Sequence, residues 1–356
     1  MKVGIWGTGN IAHTHAEALK GVGAEIVAVV DINEEIAEKF ARKWNISRYG
    51  IDKNLLISDD IDVVHVCTPP NLHYEMVDFL LENNKNVLCE KPLCFENEQA
   101  ETLVKKAKDK KLMCAINFNV RFHLACQKAK EVVKDLGDIK LIHGSYLQEF
   151  NAFPAPLDWR YNEVLAGKMR AVTEIGSHFM DIAQYISGKK VVAVSALFGN
   201  FNPTRYLENN MMYTDSDNGK RKEINIISED AACINVKYED GAIGTVLLSE
   251  ISQGRINRIN LEITGEKGNL WWNSEDNNIL NTAKKGCGVN SEIFAFGNGF
   301  ADTFKTLVKE YYEDLNTGVY KEDTVYPTFV DGENIVKICN ALLESSLNDA
   351  KWIEIK

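Results

Sequence analysis

Residues 1–20 read MKVGIWGTGNIAHTHAEALK. Lys2–Trp6 has the apolar texture of a strand and Ile11–Lys20 the spacing of a helix. Between them Gly7-Thr8-Gly9-Asn10-Ile11-Ala12 spells GxGxxA. In that setting the first glycine permits a tight turn, and the second lets backbone N–H groups approach a pyrophosphate. The small third position lets helix and strand pack closely. The positive end of the helix then faces the phosphates. A second β-rich run, Glu25–Val30, ends at Asp31. A carboxylate there can hold both hydroxyls of an adenosine ribose and repels a 2′-phosphate, which predicts NAD over NADP.

Outward from this stretch the pattern repeats. Asn33–Trp44 has helical spacing, Val63–Thr68 is a strand stopped by Pro69-Pro70, and Tyr74–Asn83 is a helix. Asn86–Cys89 is a strand ending at Glu90-Lys91-Pro92, Asn97–Lys110 a helix and Leu112–Asn117 a strand. Strand and helix alternating at this pitch imply a parallel sheet with right-handed crossovers, so residues 1–120 are expected to form an NAD(P)-binding Rossmann domain. Residues 121–356 are expected to form an α/β substrate-binding and oligomerisation domain, with its C-terminal helix free to pack back on the first. Its expected parts are a helix (Leu124–Leu136), a strand (Lys140–Leu147), a Pro- and aromatic-rich loop (Asn151–Tyr161) and a helix around Glu174–Ile186. A large open, mostly antiparallel sheet should follow. Asp240-Gly241 marks one hairpin, between Ala232–Tyr238 and Ile243–Ser249, and Gly265–Gly268 marks another. One face of that sheet should lie on helices and the other be available to a second subunit. Asn200–Asp230, polar and Asn-rich, reads as a mobile surface excursion, and helices near Phe300–Leu315 and Asp331–Leu343 close the chain.

Composition bounds the partners. The chain has 356 residues with 45% hydrophobic, 26% charged and a formal net charge of −11, an ordinary globular balance. A surface this acidic repels nucleic acid and anionic membrane. No apolar run approaches the roughly 20 residues that span a bilayer, and the N-terminus, broken by glycines, does not read as a signal peptide. The eight cysteines are scattered without a CxxC pair, which reads as buried, reduced thiols in a cytoplasmic protein.

Two further clusters carry chemistry. Thr68, Pro69 and Asn71, with the nearby His73, and Glu90-Lys91-Pro92 lie past the carboxyl ends of predicted parallel strands, where open sheets bind ligands. Lys91 can donate a proton or a hydrogen bond to a reacting oxygen. In Glu174-Ile175-Gly176-Ser177-His178-Phe179-Met180-Asp181, residues 174, 178 and 181 share one helix face. His178 can take a hydroxyl proton near neutral pH while a carboxylate orients it. No cluster has metal-ligand spacing, so no metal is expected.

The glycine motif, the EKP at 90–92 and the GxHxxD at 176–181 together resemble the Gfo/Idh/MocA oxidoreductases, such as glucose–fructose oxidoreductase and inositol dehydrogenases, over nearly the whole chain. The resemblance implies NAD(P)-dependent hydride transfer to or from a secondary alcohol of a sugar, cyclitol or sugar derivative. It places Lys91 and His178 on the family's catalytic pair, with Glu174 where the family usually has Asp. Gly7, Thr8, Gly9, Asn10, Ile11, Asp31, Thr68, Pro69, Asn71, His73, Glu90 and Lys91 then serve the cofactor. Asp158-Trp159-Arg160 resembles a segment reaching substrate and cofactor, with Trp159 and Arg160 on the cofactor side. Lys91, Asn119, Arg121, Asp158, Glu174, His178 and Asp181 serve the substrate. A homodimer or homotetramer is implied. The family also admits a redox-neutral glycosidase that keeps its NAD, and a non-catalytic dinucleotide or sugar sensor.

Overall fold

The computed structural model describes residues 1–356. They divide into two compact units, Met1–Phe122 with Gly299–Val336, and His123–Asn298 with Lys337–Lys356. The contact boundary therefore differs from a single cut after residue 120, because Gly299–Val336 returns to the first unit.

The first unit alternates strand and helix as its periodicity requires: β1 (Lys2–Trp6), α1 (Asn10–Gly21), β2 (Glu25–Val30), α2 (Glu34–Trp44), β3 (Arg48–Gly50), β4 (Val63–Val66), α3 (His73–Glu82), β5 (Asn86–Cys89), α4 (Asn97–Asp109) and β6 (Cys114–Ile116). The six strands are parallel, in the order β3-β2-β1-β4-β5-β6. The order reverses between β1 and β4, the topological switch point at which such sheets bind ligands. β4 reads VVHV and is buried throughout, as expected of a strand covered on both faces. Local signals agree with the elements they start: Asn33 caps α2, its Oδ1 accepting from Glu35 N–H at 3.0 Å and Ile36 N–H at 3.2 Å.

The second unit contains α5 (Leu124–Val132), β7 (Ile139–Leu147), β8 (Ala155–Pro156), α6 (Glu163–Ala166), α7 (Ser177–Ser187), β9 (Val191–Gly199), β10 (Thr204–Glu208), β11 (Met211–Tyr213), β12 (Lys222–Asn225), β13 (Ala231–Tyr238), β14 (Ile243–Ser249), β15 (Arg258–Gly265), β16 (Asn269–Asn273), β17 (Ile279–Ala283) and β18 (Val289–Ile293). The chain then forms α8 (Phe300–Thr317), α9 (Phe329–Leu347) and β19 (Ile353–Glu354). In α8, Phe304, Leu307, Val308, Tyr311 and Tyr312 recur at helical spacing and join the core that contains α1 and the parallel sheet, which is why α8 belongs to the first unit.

The large sheet has nine strands, ordered β18-β17-β16-β15-β7-β14-β13-β9-β19. It corrects the expected meander in one respect. β7, from before the hairpins, inserts between β15 and β14 and runs parallel to β14, so the sheet is mixed. The two turns lie where Asp240-Gly241 and Gly265–Gly268 place them; Asp240 and Gly241 adopt φ of 60° and 83°. Ile234, Val236, Val246, Leu248, Ile142 and Leu261 are buried on the inner face, against which α5 and α7 pack.

Asn200–Asp230 is not a loose excursion. β10, β11 and β12 pair with β8 into a separate four-stranded sheet. Met212 and Ile226 pack with Ala155 and Tyr161 beneath it, and Arg205 is fully buried. The cysteine reading also needs correction. All eight are free, but Cys233 and Cys287 are exposed: Cys233 occupies an outward position of β13, and Cys287 lies in the turn before β18. No helix is long and apolar enough to cross a membrane.

Candidate functional site

The residues assigned to the cofactor follow the carboxyl ends of β1, β2, β4 and β5. Gly7 adopts φ +89°, and a Cβ on it would lie 2.7 Å from Thr68 Cγ2 and 2.9 Å from the Cys67 carbonyl carbon. Glycine is therefore demanded there by the protein itself. Gly9 is different. Its φ of −71° suits any residue, and a Cβ would meet nothing within 4 Å. Gly9 precedes α1 as its N-cap, offers no capping side chain, and the first turn of that helix contains no acidic residue. That helix start thus carries no capping side chain and no carboxylate of its own, which fits the pyrophosphate of a dinucleotide. Thr8, Asn10 and Ile11 complete the turn, with Ala12 buried below.

Asp31 Oδ2 accepts from Thr8 N–H at 2.8 Å and from Thr8 Oγ1 at 2.9 Å, while Oδ1 accepts from Asn33 N–H at 3.0 Å. Asp31 thus braces the glycine loop as well as presenting a half-buried carboxylate. Thr68, Pro69 and Asn71 line the start of the loop after β4, and the Asn71 Oδ1 is buried without a hydrogen-bond donor. His73 is corrected as a ligand contact: it is fully buried, with Nδ1 2.7 Å from the Pro92 carbonyl oxygen and Nε2 2.9 Å from that of Thr68. It clamps the two loops together and has no surface left for a cofactor.

Glu90 is likewise spent internally. Its Oε1 accepts from Asn117 Nδ2 at 2.7 Å and lies 2.9 Å from His15 Nε2, and its Oε2 accepts from Lys91 N–H at 3.3 Å. These donors outweigh burial and hold the carboxyl below its usual range. Lys91 itself is half-buried. Asn119 and Arg121 turn inward instead of toward a substrate. Asn119 donates to Thr303 Oγ1 at 2.7 Å and Arg121 to Asp331 Oδ1 at 2.7 Å, tying this corner to α8 and α9.

In the second unit, Val172–Gly176 is one π-helical turn leading into α7. Sequence spacing predicts a regular helix over Glu174–Ile186; the wide turn instead comes just before His178. His178 and Asp181 lie one turn apart on α7, both buried. Glu174 Oε2 accepts from Arg160 Nε at 2.9 Å, and Arg160 Nη1 reaches Asp158 Oδ2 at 3.0 Å. The Arg160 guanidinium stacks on Trp159, 4.6 Å from the ring centroid. Asp158, Trp159, Arg160 and Glu174 are therefore one assembly. Behind it lies a buried group that sequence reasoning missed: Arg170 and Arg205 share Asp230 Oδ1 at 2.5 and 2.8 Å, and Arg170 Nε is 3.2 Å from Glu250. His15 and His65 were also missed, although a histidine inside the apolar run of β4 is a legible anomaly.

The model for an oxidoreductase family with an NAD-binding Rossmann fold matches residues 1–118, and the Gfo/Idh/MocA C-terminal domain model matches residues 126–271. The chain belongs to the Gfo/Idh/MocA oxidoreductase family. Among curated members of that family, levoglucosan dehydrogenase of Pseudarthrobacter phenanthrenivorans is 27% identical over 92% of this chain and 88% of its own. Myo-inositol 2-dehydrogenase of Thermotoga maritima is 27% identical over 89% of each chain. The structure of a levoglucosan dehydrogenase in complex with NADH and L-sorbose superposes with a TM-score of 0.90 at 26% identity, covering 100% of this chain and 99% of that one.

Proposed function

We propose that this protein is an NAD-dependent dehydrogenase that oxidises a secondary alcohol of a sugar, cyclitol or sugar derivative. The observation that carries it is Gly9: a glycine required neither by its backbone nor by its neighbours, at an uncapped helix start, in a chain whose EKP and GxHxxD match the family in order. Bound NAD supplies the hydride acceptor, nicotinamide C4. His178 takes the proton of the substrate hydroxyl, and Lys91 stabilises the developing alkoxide through its ammonium. Asp181 accepts from further substrate hydroxyls. Glu174 sits where the family usually has Asp, and its bond to Arg160 fixes the orientation of the longer side chain. Asp31 disfavours a 2′-phosphate, so NAD is preferred over NADP.

The test is NADH formation, read by absorbance, over a panel of sugars, anhydrosugars, inositols and glycosides. Turnover on one group of alcohols, lost by about a hundredfold or more in Lys91→Ala and in His178→Ala, is the expected result. Full turnover in either variant overturns the roles assigned here. Hydrolysis of a glycoside without net NADH overturns the dehydrogenase itself.

A further inference from the structure

The carboxylate of Asp31 is held from two sides. Its Oδ2 accepts from Thr8 N–H at 2.8 Å and from Thr8 Oγ1 at 2.9 Å, and its Oδ1 accepts from Asn33 N–H at 3.0 Å. The backbone around it is fixed as well. Gly7 N–H donates to the Val30 carbonyl at 2.8 Å, and Asp31 N–H to that of Gly50 at 3.1 Å. Asn33 is the N-cap of α2, so Oδ1 is tied to the start of that helix and Oδ2 to the glycine loop. Anchoring both oxygens fixes the plane of the carboxylate as well as its place.

Two of the three donors are backbone N–H groups, which any residue but proline supplies at positions 8 and 33. The third is the Thr8 hydroxyl, the one donor of the three that a change of side chain can add or remove. Thr8 is 3% exposed, so bulk water does not compete for that hydroxyl, and its hydrogen stays directed at Oδ2. A hydrogen bond to an ionised acceptor is of the stronger kind. Asp31 itself is half-buried, so with that bond gone its side chain has water to turn toward.

The two dinucleotides ask different things of this carboxylate. The ribose hydroxyls of NAD are donors, and acceptors already fixed in place lose little freedom on binding them. The 2′-phosphate of NADP is an anion, and it is refused best by a like charge that cannot move aside. Both halves of the choice therefore depend on how firmly Asp31 is held.

We propose that Thr8 is a positioning residue for cofactor choice: its hydroxyl locks the Asp31 carboxylate to the glycine loop and thereby sets the margin by which NAD is preferred over NADP. The proposal rests on the discrimination assigned to Asp31 above, and a separate variant tests that reading.

The experiment is calorimetric titration of the full chain with NAD and with NADP, read as the ratio of the two dissociation constants. Each variant is checked for folding by a thermal melt. Thr8→Val keeps the shape of the side chain and both backbone donors. In it NAD affinity is expected to fall while NADP affinity holds or rises, so that the ratio shrinks by about fivefold or more. Thr8→Ser, which returns the hydroxyl, should restore most of the wild-type ratio. A threonine that merely shapes the loop would weaken both dinucleotides alike, and an unchanged ratio in folded Thr8→Val overturns the proposal. Should that variant fail to fold, Thr8→Ala decides by the same criterion. Asp31→Ala separates the two levels. A ratio that collapses there but stands in Thr8→Val keeps Asp31 as the discriminator and removes Thr8. A ratio that stands in both removes the discrimination assigned to Asp31, and the proposal with it.

Discussion

At the scale of single residues, Gly7 and Gly9 separate fold from function within one motif. Gly7 is held at φ +89° against Thr68 and Cys67. Alanine there is strained by its backbone and by the contact, and Gly7→Ala is expected to cost about 2 kcal/mol or more, visible as a lower urea midpoint. Gly9→Ala meets nothing in the protein, so its urea midpoint should fall only by what a poorer N-cap residue costs, well short of Gly7→Ala. The added methyl instead enters the space assigned to the pyrophosphate. NAD affinity, measured by calorimetric titration, should fall by about tenfold or more, roughly 1.4 kcal/mol. Unchanged affinity in a stable Gly9→Ala would remove the phosphate site from α1.

At the scale of elements, legibility followed periodicity. The βα alternation of the first unit was plain because its central strands are buried on both faces and its helices carry an apolar stripe. The Asp240-Gly241 hairpin turn was plain because Asp-Gly admits the positive φ that both residues adopt. Three features escaped for physical reasons. β10–β12 form a sheet whose few fully buried residues, Arg205 and Met212, include an arginine, so no apolar alternation shows. The parallel pairing of β7 with β14 joins residues about a hundred apart, which local pattern does not encode. The π turn at Val172–Gly176 is invisible because spacing arguments assume a regular helix; its start is held by a distant group, Glu229, whose carboxylate accepts from Arg170 N–H at 3.0 Å and Val172 N–H at 2.8 Å. Site residues divided the same way: motif positions at strand ends were legible, whereas the inward turn of His73, Asn119 and Arg121 was decided by partners far along the chain. Glu229 also carries a pH prediction. Burial pushes its carboxyl from the usual 4.5 up to about 7. The folded state therefore binds the extra proton across that window, and the stability this group contributes is present below about pH 4.5 and is lost as pH climbs through 7. Buried His65, His73 and His123, all lowered, pull the opposite way, so the comparison must be with a variant. Between about pH 5.5 and pH 8, Glu229→Gln should gain about 2 kcal/mol relative to wild type in urea denaturation. A constant difference across that range would place Glu229 as an ordinary carboxylate.

At the scale of the whole molecule, a chain of formal net charge −11 resists self-association unless apolar surface outweighs the repulsion. The nine-stranded sheet offers such surface. α5 and α7 cover its inner face, while register places Leu197, Cys233 and Leu247 side by side on the other, with Ile243 beside Leu141 further along β14. Leu197 is 64%, Ile243 54% and Leu247 45% exposed, on β9 and β14 with β13 between them. Scattered exposed leucines are ordinary, but apolar side chains aligned across neighbouring strands make a contiguous patch. Polar Thr245 and Asn235 interleave them, the mixture expected of a face that meets water during folding and is covered later. A second copy turned about a two-fold axis would match this patch with itself, so one surface serves both protomers. Sedimentation velocity should then show a species of twice the chain mass or a multiple of it at micromolar concentration. The double variant Leu197→Glu with Leu247→Glu should sediment as a monomer with its melting temperature, measured at low concentration, within a few degrees of wild type, because both side chains already point to solvent. A wild-type chain that sediments as a monomer would leave the patch without the partner argued for it, whereas a double variant that keeps the wild-type mass would move the interface to another surface.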